Sequence, residues 1–281
     1  MDDKPKRALV LSGGGGRGAY ECGVYKYLEE TGWEPDILVG TSIGAINAAA
    51  IASGRSAADL EAAWLATRTK DIQRFWRLKP WKSVYDTTPW RKTLHRYINF
   101  DALPTTDKRL LIATTELETG QLRIFDNQDI TLTPDHILAS CSIPLVYPWT
   151  KIESRHYWDG AVMANTPLSG AIDAGADEII IVLLSPIGER DMQPPRWPWH
   201  ALTVVLDLAL SATYENDLKQ LENVNQLVAA QVDSKHRQIK CQVVTPSAET
   251  DLSRIIRYEP DFSANLIQMG YDDAQEELQT A

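Results

Sequence analysis

Gly40-Thr41-Ser42-Ile43-Gly44 spells G-x-S-x-G. It stands where an apolar run, DILVGT (36–41), passes into a small-residue run, IGAINAAAIASG (43–54). A serine at such a strand-to-helix turn is placed as a nucleophile elbow requires, with glycines that let the chain turn sharply and neighbouring elements approach. Its hydroxyl would stand at a helix N-terminus, whose partial positive charge favours a developing anion. A serine that merely caps a helix has the same local spelling. Its surroundings must separate the two.

A second group lies upstream. Gly13, Gly14, Gly15, Gly16, Arg17 and Gly18 follow the apolar run RALVLS (7–12) and open a helical pattern over 18–30. Strand, glycine turn and helix start together can hold something negative. A Walker-type phosphate loop needs Lys-Ser or Lys-Thr after its last glycine, and here Ala19-Tyr20 follow. Gly13, Gly15 and Gly18 meet the G-x-G-x-x-G spacing of a dinucleotide site, which also wants an acid about 20 residues on, after the next strand. That strand ends instead in Thr41-Ser42. Beside a serine elbow, the N–H groups of the turn suit the oxyanion formed when Ser42 attacks an ester carbonyl. The 13–18 turn is therefore expected to be an oxyanion hole. Arg17 either pairs with Glu21 one helical turn on or shapes the loop.

A base for the serine is harder to find. The α/β-hydrolase order is Ser, then Asp or Glu, then His, but only two strands precede Ser42. None of the five histidines (His95, His136, His156, His200 and His236) has a catalytic-looking context. In KIESRHYWDGAVMANTPL (151–168), an extended 154–159 would put Tyr157 and Asp159 on one face and His156 on the other. By spelling alone, Asp159-Gly160 is a plain turn.

The elements that must position these residues alternate in period. Strand, helix, strand and helix over 7–54, with short connections, predict a parallel sheet covered by helices. KRLLIATTELETGQLRIFDN (108–127) reads as two strands joined by a Thr-Gly turn, and DEIIIVLLS (177–185) as another buried strand. A four-proline loop (186–200) leads to a helical pattern over about 201–232, a strand at 238–245 and a terminal helix around 263–279. No linker divides the 281 residues, so a single domain over 1–281 is expected.

Composition narrows the partners. A net charge of −10 argues against a nucleic-acid binder. The three cysteines, Cys22, Cys141 and Cys241, form neither a disulfide framework nor a zinc cluster by spacing and fit a reducing compartment. The start, MDDKPKR, shows no secretory signal. The longest apolar runs fall well short of the roughly 20 residues of a bilayer span, so a cytoplasmic protein is expected, peripheral to a membrane at most. Residues 68–96 differ from the rest: nine Lys/Arg against two Asp/Glu give +7, leaving −17 elsewhere, and Phe75, Trp76, Trp81, Tyr85 and Trp90 lie among them. The segment reads as a cap-like insertion at about 68–107. Peripheral membrane contact through 68–96 stands against a solvated helical face with its tryptophans packed inward, or a patch binding the protein's own acidic surface.

In this order the motifs resemble those of the patatin-like phospholipases: GGGGRG (13–18), GTSIG (40–44) and DGA (159–161), with family-like blocks IATTELETGQLRIF (112–125) and ASCSIPLVYPW (139–149) between the last two. LIQMGYDDA near the C-terminus is similar to the bacterial branch. The resemblance covers roughly 7–54 and 108–185. It implies an α/β fold with a mostly parallel sheet between helices in three layers. It also implies a Ser-Asp dyad, with Ser42 as nucleophile and Asp159 as general base, and no histidine. The N–H groups of Gly14 and Gly15, with Gly16 and Arg17, would line the oxyanion hole. The activity implied is hydrolysis of carboxylic esters of lipids through an acyl-enzyme, with no cofactor and no metal. An acyltransferase using the same dyad and a non-catalytic lipid-binding scaffold are the alternatives. Oligomeric state leaves no mark in the sequence.

Overall fold

Alternation along the first strand sets the layers. β1 (Arg7–Leu11) turns Leu9 and Leu11 to one face and Ala8 and Val10 to the other, and the two pairs are buried in different hydrophobic clusters. A strand covered on both faces reads as an unbroken apolar run. The computed structural model describes residues 4–75, 83–186, 238–248 and 255–279, together with scattered positions between 194 and 230.

β1 lies parallel between β2 (Ile37–Thr41) and β9 (Glu178–Val182), and β10 (Lys240–Val244) extends the sheet parallel to β9. β5 (Arg109–Glu116) runs parallel to β2 as far as Ala113. From Thr114 onward the same edge of β5 pairs antiparallel with β8 (Arg155–Asp159), to which β7 (Thr150–Ile152) is joined as a hairpin. β6 (Gln121–Asp126) covers the other edge of β5. The sheet is mixed and mostly parallel, as expected.

Helices flank both faces. α1 (Ala19–Glu30) packs against the C-terminal helix (Pro260–Gln279) over the larger cluster. That last helix begins at a proline, a residue suited to a first turn, three residues before the apolar pattern suggested. α2 (Ile43–Ala52), whose side chains are mostly alanine, is buried along its whole length. α3 (Ala57–Ala66) starts at a Ser56–Asp59 capping box. On the opposite face, α7 (Leu168–Asp173) buries Leu168 and Ala171 in the second cluster.

The described part of the basic segment adds no strand to the main sheet. α4 (Thr69–Ile72) and α5 (Thr88–Tyr97) flank a two-stranded ribbon of β3 (Arg74–Phe75) and β4 (Tyr85–Asp86). Trp90 is buried against Tyr147 and Tyr258. Several of its cations meet acids: Arg74 with Asp86 at 2.7 Å, Arg91 with Asp135, and Arg96 with Asp71 at 3.9 Å. Trp76, Arg77, Lys79, Trp81 and Lys82 lie outside the described residues, as does most of the helical pattern expected over 201–232.

Candidate active site

β2 ends at Thr41 opposite Ala113, and β8 ends at Asp159 opposite Thr114. Two strands running toward each other thus deliver their last residues to neighbouring positions on β5. Ser42 comes next after Thr41, and its Oγ donates to Asp159 Oδ2 at 2.6 Å. That length belongs to charge-assisted O–H···O⁻ bonds. Both residues are buried, Ser42 5% and Asp159 3% exposed.

Ser42 has φ 55° and ψ −122°. A non-glycine residue there is strained by about 1–3 kcal/mol and persists only where its surroundings hold it. They do: its N–H donates to Ser140 Oγ at 2.8 Å, and α2 presses close beneath the elbow. A Cβ on Gly44 would collide with the carbonyl of Leu11, which explains the last glycine of G-x-S-x-G.

Asp159 is bound on every side. Its Oδ1 accepts Ala161 N–H at 2.9 Å, its N–H donates to the Ser142 carbonyl at 3.0 Å, and its carbonyl accepts Thr115 Oγ1 at 2.9 Å. Burial pushes its carboxyl up from 3.8 to about 7, while the bonds from Ser42 and Ala161 pull the other way. An acid with that pKa exchanges a proton readily near neutrality.

The glycine turn faces the same point. Gly13, Gly14 and Gly15 join Ser42, Asp159, Ile143, Pro144, Ala161, Val162 and Ile255 around a cavity of about 250 Å³, apolar apart from the serine, the acid and the turn. Gly13 N–H is committed to Asn165 Oδ1 at 2.9 Å, and Arg17 N–H to the Gly14 carbonyl at 3.3 Å. Among the described residues the amides of Gly14 and Gly15 have no protein acceptor. Gly15 sits at φ +61°, with the Ile255 carbonyl where a Cβ would be.

Arg17 reaches back onto the loop. Its Nε donates to the Gly14 carbonyl and its Nη1 to Ser185 Oγ at 3.1 Å. Glu21 turns to Asn47 Nδ2 at 2.7 Å, and burial pushes its carboxyl well above the usual range.

The described histidines lie elsewhere. His156 pairs with Glu118 at 2.7 Å, on the face opposite Asp159, as strand alternation predicts. His136 accepts Thr133 N–H at the start of α6 (Pro134–Ser140), and His95 packs on Phe100. Among the described residues no group of three or more His, Cys, Asp or Glu side chains could hold a metal ion, and no helix is long and apolar enough to cross a membrane.

Ser140, Thr115 and Asn165 were not singled out by sequence reasoning. The block holding Ser140 and Ser142 was visible as a motif, but nothing local assigns it a role.

The patatin-like phospholipase family model matches residues 9–172, more than half of the chain. A cGAMP-activated phospholipase of Escherichia coli (strain TW11681) is 26% identical over 228 residues, 66% of this chain and 64% of that protein. Patatin-like phospholipase domain-containing protein 6 of Homo sapiens is 27% identical over 194 residues, 66% of this chain but 14% of that protein. The chain therefore spans less than two thirds of either relative. Among solved structures, VipD from Legionella pneumophila has a TM-score of 0.52 at 12% identity, covering 99% of this chain and 67% of that one, a likeness of fold alone. Since the matched stretch contains the glycine turn, the serine elbow and the Asp-Gly-Ala turn together, the chain belongs to the patatin-like phospholipase family.

Proposed function

We propose that the protein is a serine acyl hydrolase of lipid carboxylic esters, working through a Ser42–Asp159 dyad. The carrying observation is the 2.6 Å bond between two buried side chains at the foot of an apolar cavity. As Ser42 Oγ attacks the ester carbon, its proton passes to Asp159 Oδ2. The carbonyl oxygen becomes an oxyanion facing the amides of Gly14 and Gly15. Collapse expels the alcohol, which takes the proton from Asp159 and leaves an acyl-serine. A water then gives its proton to Asp159 and attacks the acyl carbon, and Ser42 recovers its proton as the acid departs.

The apolar walls of Ile143, Pro144, Val162 and Ile255 favour a hydrocarbon acyl chain over a charged one. The whole described chain acts as one domain, with the basic segment as a cap. A membrane-contact role for that segment is supported by its charge and by exposed Phe75; its internal ion pairs support the purely structural reading. The test is labelling by a fluorophosphonate probe, with hydrolysis measured over esters of increasing acyl length. Labelling lost in Ser42→Ala, with hydrolysis of uncharged acyl esters, is expected. An intact but unlabelled, inactive protein returns the scaffold reading. Net acyl transfer to an added alcohol at the expense of hydrolysis favours the acyltransferase.

A further inference from the structure

The turn that closes α6 touches both members of the pair by separate bonds. Ser140 is fully buried, and its hydroxyl has one proton to give. That proton goes to the Ala113 carbonyl at 2.6 Å, leaving the oxygen's lone pairs for Ser42 N–H at 2.8 Å. Two residues on, the Ser142 carbonyl accepts Asp159 N–H at 3.0 Å. Ser142 is itself pinned, its Oγ bonding the Leu138 carbonyl at 2.8 Å and Thr150 Oγ1 at 2.9 Å.

We infer that the 140–142 turn sets the Ser42–Asp159 separation, with Ser140 as a positioning residue for the nucleophile. This rests on the dyad reading above. Ala113 is the register partner of Thr41, so Ser140 ties the elbow to β5 where β2 ends, while Ser142 ties the end of β8. Neither residue is among those that line the cavity. The bond also uses the nucleophile's own amide, which leaves charge stabilisation to the glycine turn.

Ser140→Ala removes the acceptor from Ser42 N–H and frees a strained residue to relax toward ordinary dihedrals. A displacement on the order of 1 Å costs about a hundredfold in rate. The experiment measures fluorophosphonate labelling rate, kcat and KM for a soluble ester in the parent, Ser140→Ala, Ser140→Thr, Asp159→Asn and the Asp159→Asn/Ser140→Ala pair, with thermal unfolding of each. Ser140→Ala should lower kcat and labelling about ten- to a hundredfold with KM unchanged and cooperative unfolding kept. Ser140→Thr, which retains the hydroxyl, should restore most of the rate. In the Asp159→Asn background the Ser140 substitution should cost little more, because the geometry it protects no longer serves a proton transfer.

Parent rates in Ser140→Ala overturn the inference, as does a loss that multiplies in full with Asp159→Asn. If Ser140→Ala does not fold, Ser140→Cys, which keeps the size but offers only a weak sulfur acceptor to Ser42 N–H, and its pair with Asp159→Asn decide by the same comparison. A parent that takes no label removes the nucleophile reading and this one with it; a labelled parent separates the two.

Discussion

Thr41 and Asp159 occupy register positions opposite consecutive residues of β5, although 118 residues separate them in sequence. Parallel pairing brings one in and antiparallel pairing the other, so the switch of partners along one strand edge creates the site. Ser42 and Asp159 are then within hydrogen-bond reach without a third residue to bridge them.

Ser42→Ala and Asp159→Asn should each lower kcat by about three orders of magnitude or more. Both replacements are close in size, and cooperative unfolding should survive. His156→Ala should cost little, since that ring is engaged with Glu118. Steady-state kinetics on a soluble ester checks all three, and a dead His156→Ala with intact fold would return a histidine-based triad.

Much of the elbow and glycine turn was legible because local backbone geometry demands particular residues there: Gly44 under the β1 carbonyls, Gly15 at positive φ. The contact of Asp159 with Ser42 was not legible from its neighbours. Asp-Gly spells a turn wherever it occurs, and here the turn and the contact with Ser42 coexist, the latter reaching across 117 residues. Only the ordered set of motifs pointed to it. Ser140 and Asn165 act by side-chain to backbone bonds over 98 and 152 residues, which leave no periodicity to read. Trp90 is buried, as the reading with tryptophans packed inward has it, because α5 has an amphipathic face whose inner residues include Trp90, Leu94 and Tyr97.

The pH response follows from the buried acid. Asp159 acts as a base only when ionised, so kcat/KM should rise with pH, bend at about 7 and level off above it. Stability should run the other way. The folded chain keeps a proton on Asp159 that the unfolded chain releases near 3.8, so this group's contribution is full below that value and is lost as pH climbs through about 7. Asp159→Asn should therefore raise the melting temperature at about pH 8 and change it little at about pH 4. Thermal scans at both pH values check the sign, and greater gain on the acid side would contradict it.

Gly15→Ala should lower turnover by about a hundredfold or more. Its Cβ would drive into the Ile255 carbonyl from a backbone conformation alanine adopts at a cost, so the turn must move and carry the Gly14 and Gly15 amides with it. Part of the loss should also appear as a lower melting temperature. Magnesium-dependent nucleotide binding should be absent in parent and variant alike. Specific binding abolished by this substitution would make the turn a phosphate loop.

The basic segment offers a separate test of where the substrate is met. Its +7 contrasts with −17 for the remaining chain, which anionic lipid would repel. Each lysine or arginine near such a surface contributes about 1 kcal/mol, falling off within a Debye length. Arg74 is a poor choice for reversal, because it neutralises Asp86, whose side chain is 6% exposed, at 2.7 Å. Glutamate there would leave two acids facing each other and would disturb the ribbon. Arg77, Lys79 and Lys82 stand between the two ribbon strands in sequence and avoid that confusion. Replacing these three with glutamate should weaken sedimentation with anionic vesicles, and raised salt should weaken the parent in the same way. Hydrolysis of a short soluble ester should stay at the parent rate, since Ser42, Asp159 and the glycine turn lie on other elements. Equal vesicle binding by parent and variant, or none by either, would leave the segment as a structural cap packed through Trp90 and its ion pairs.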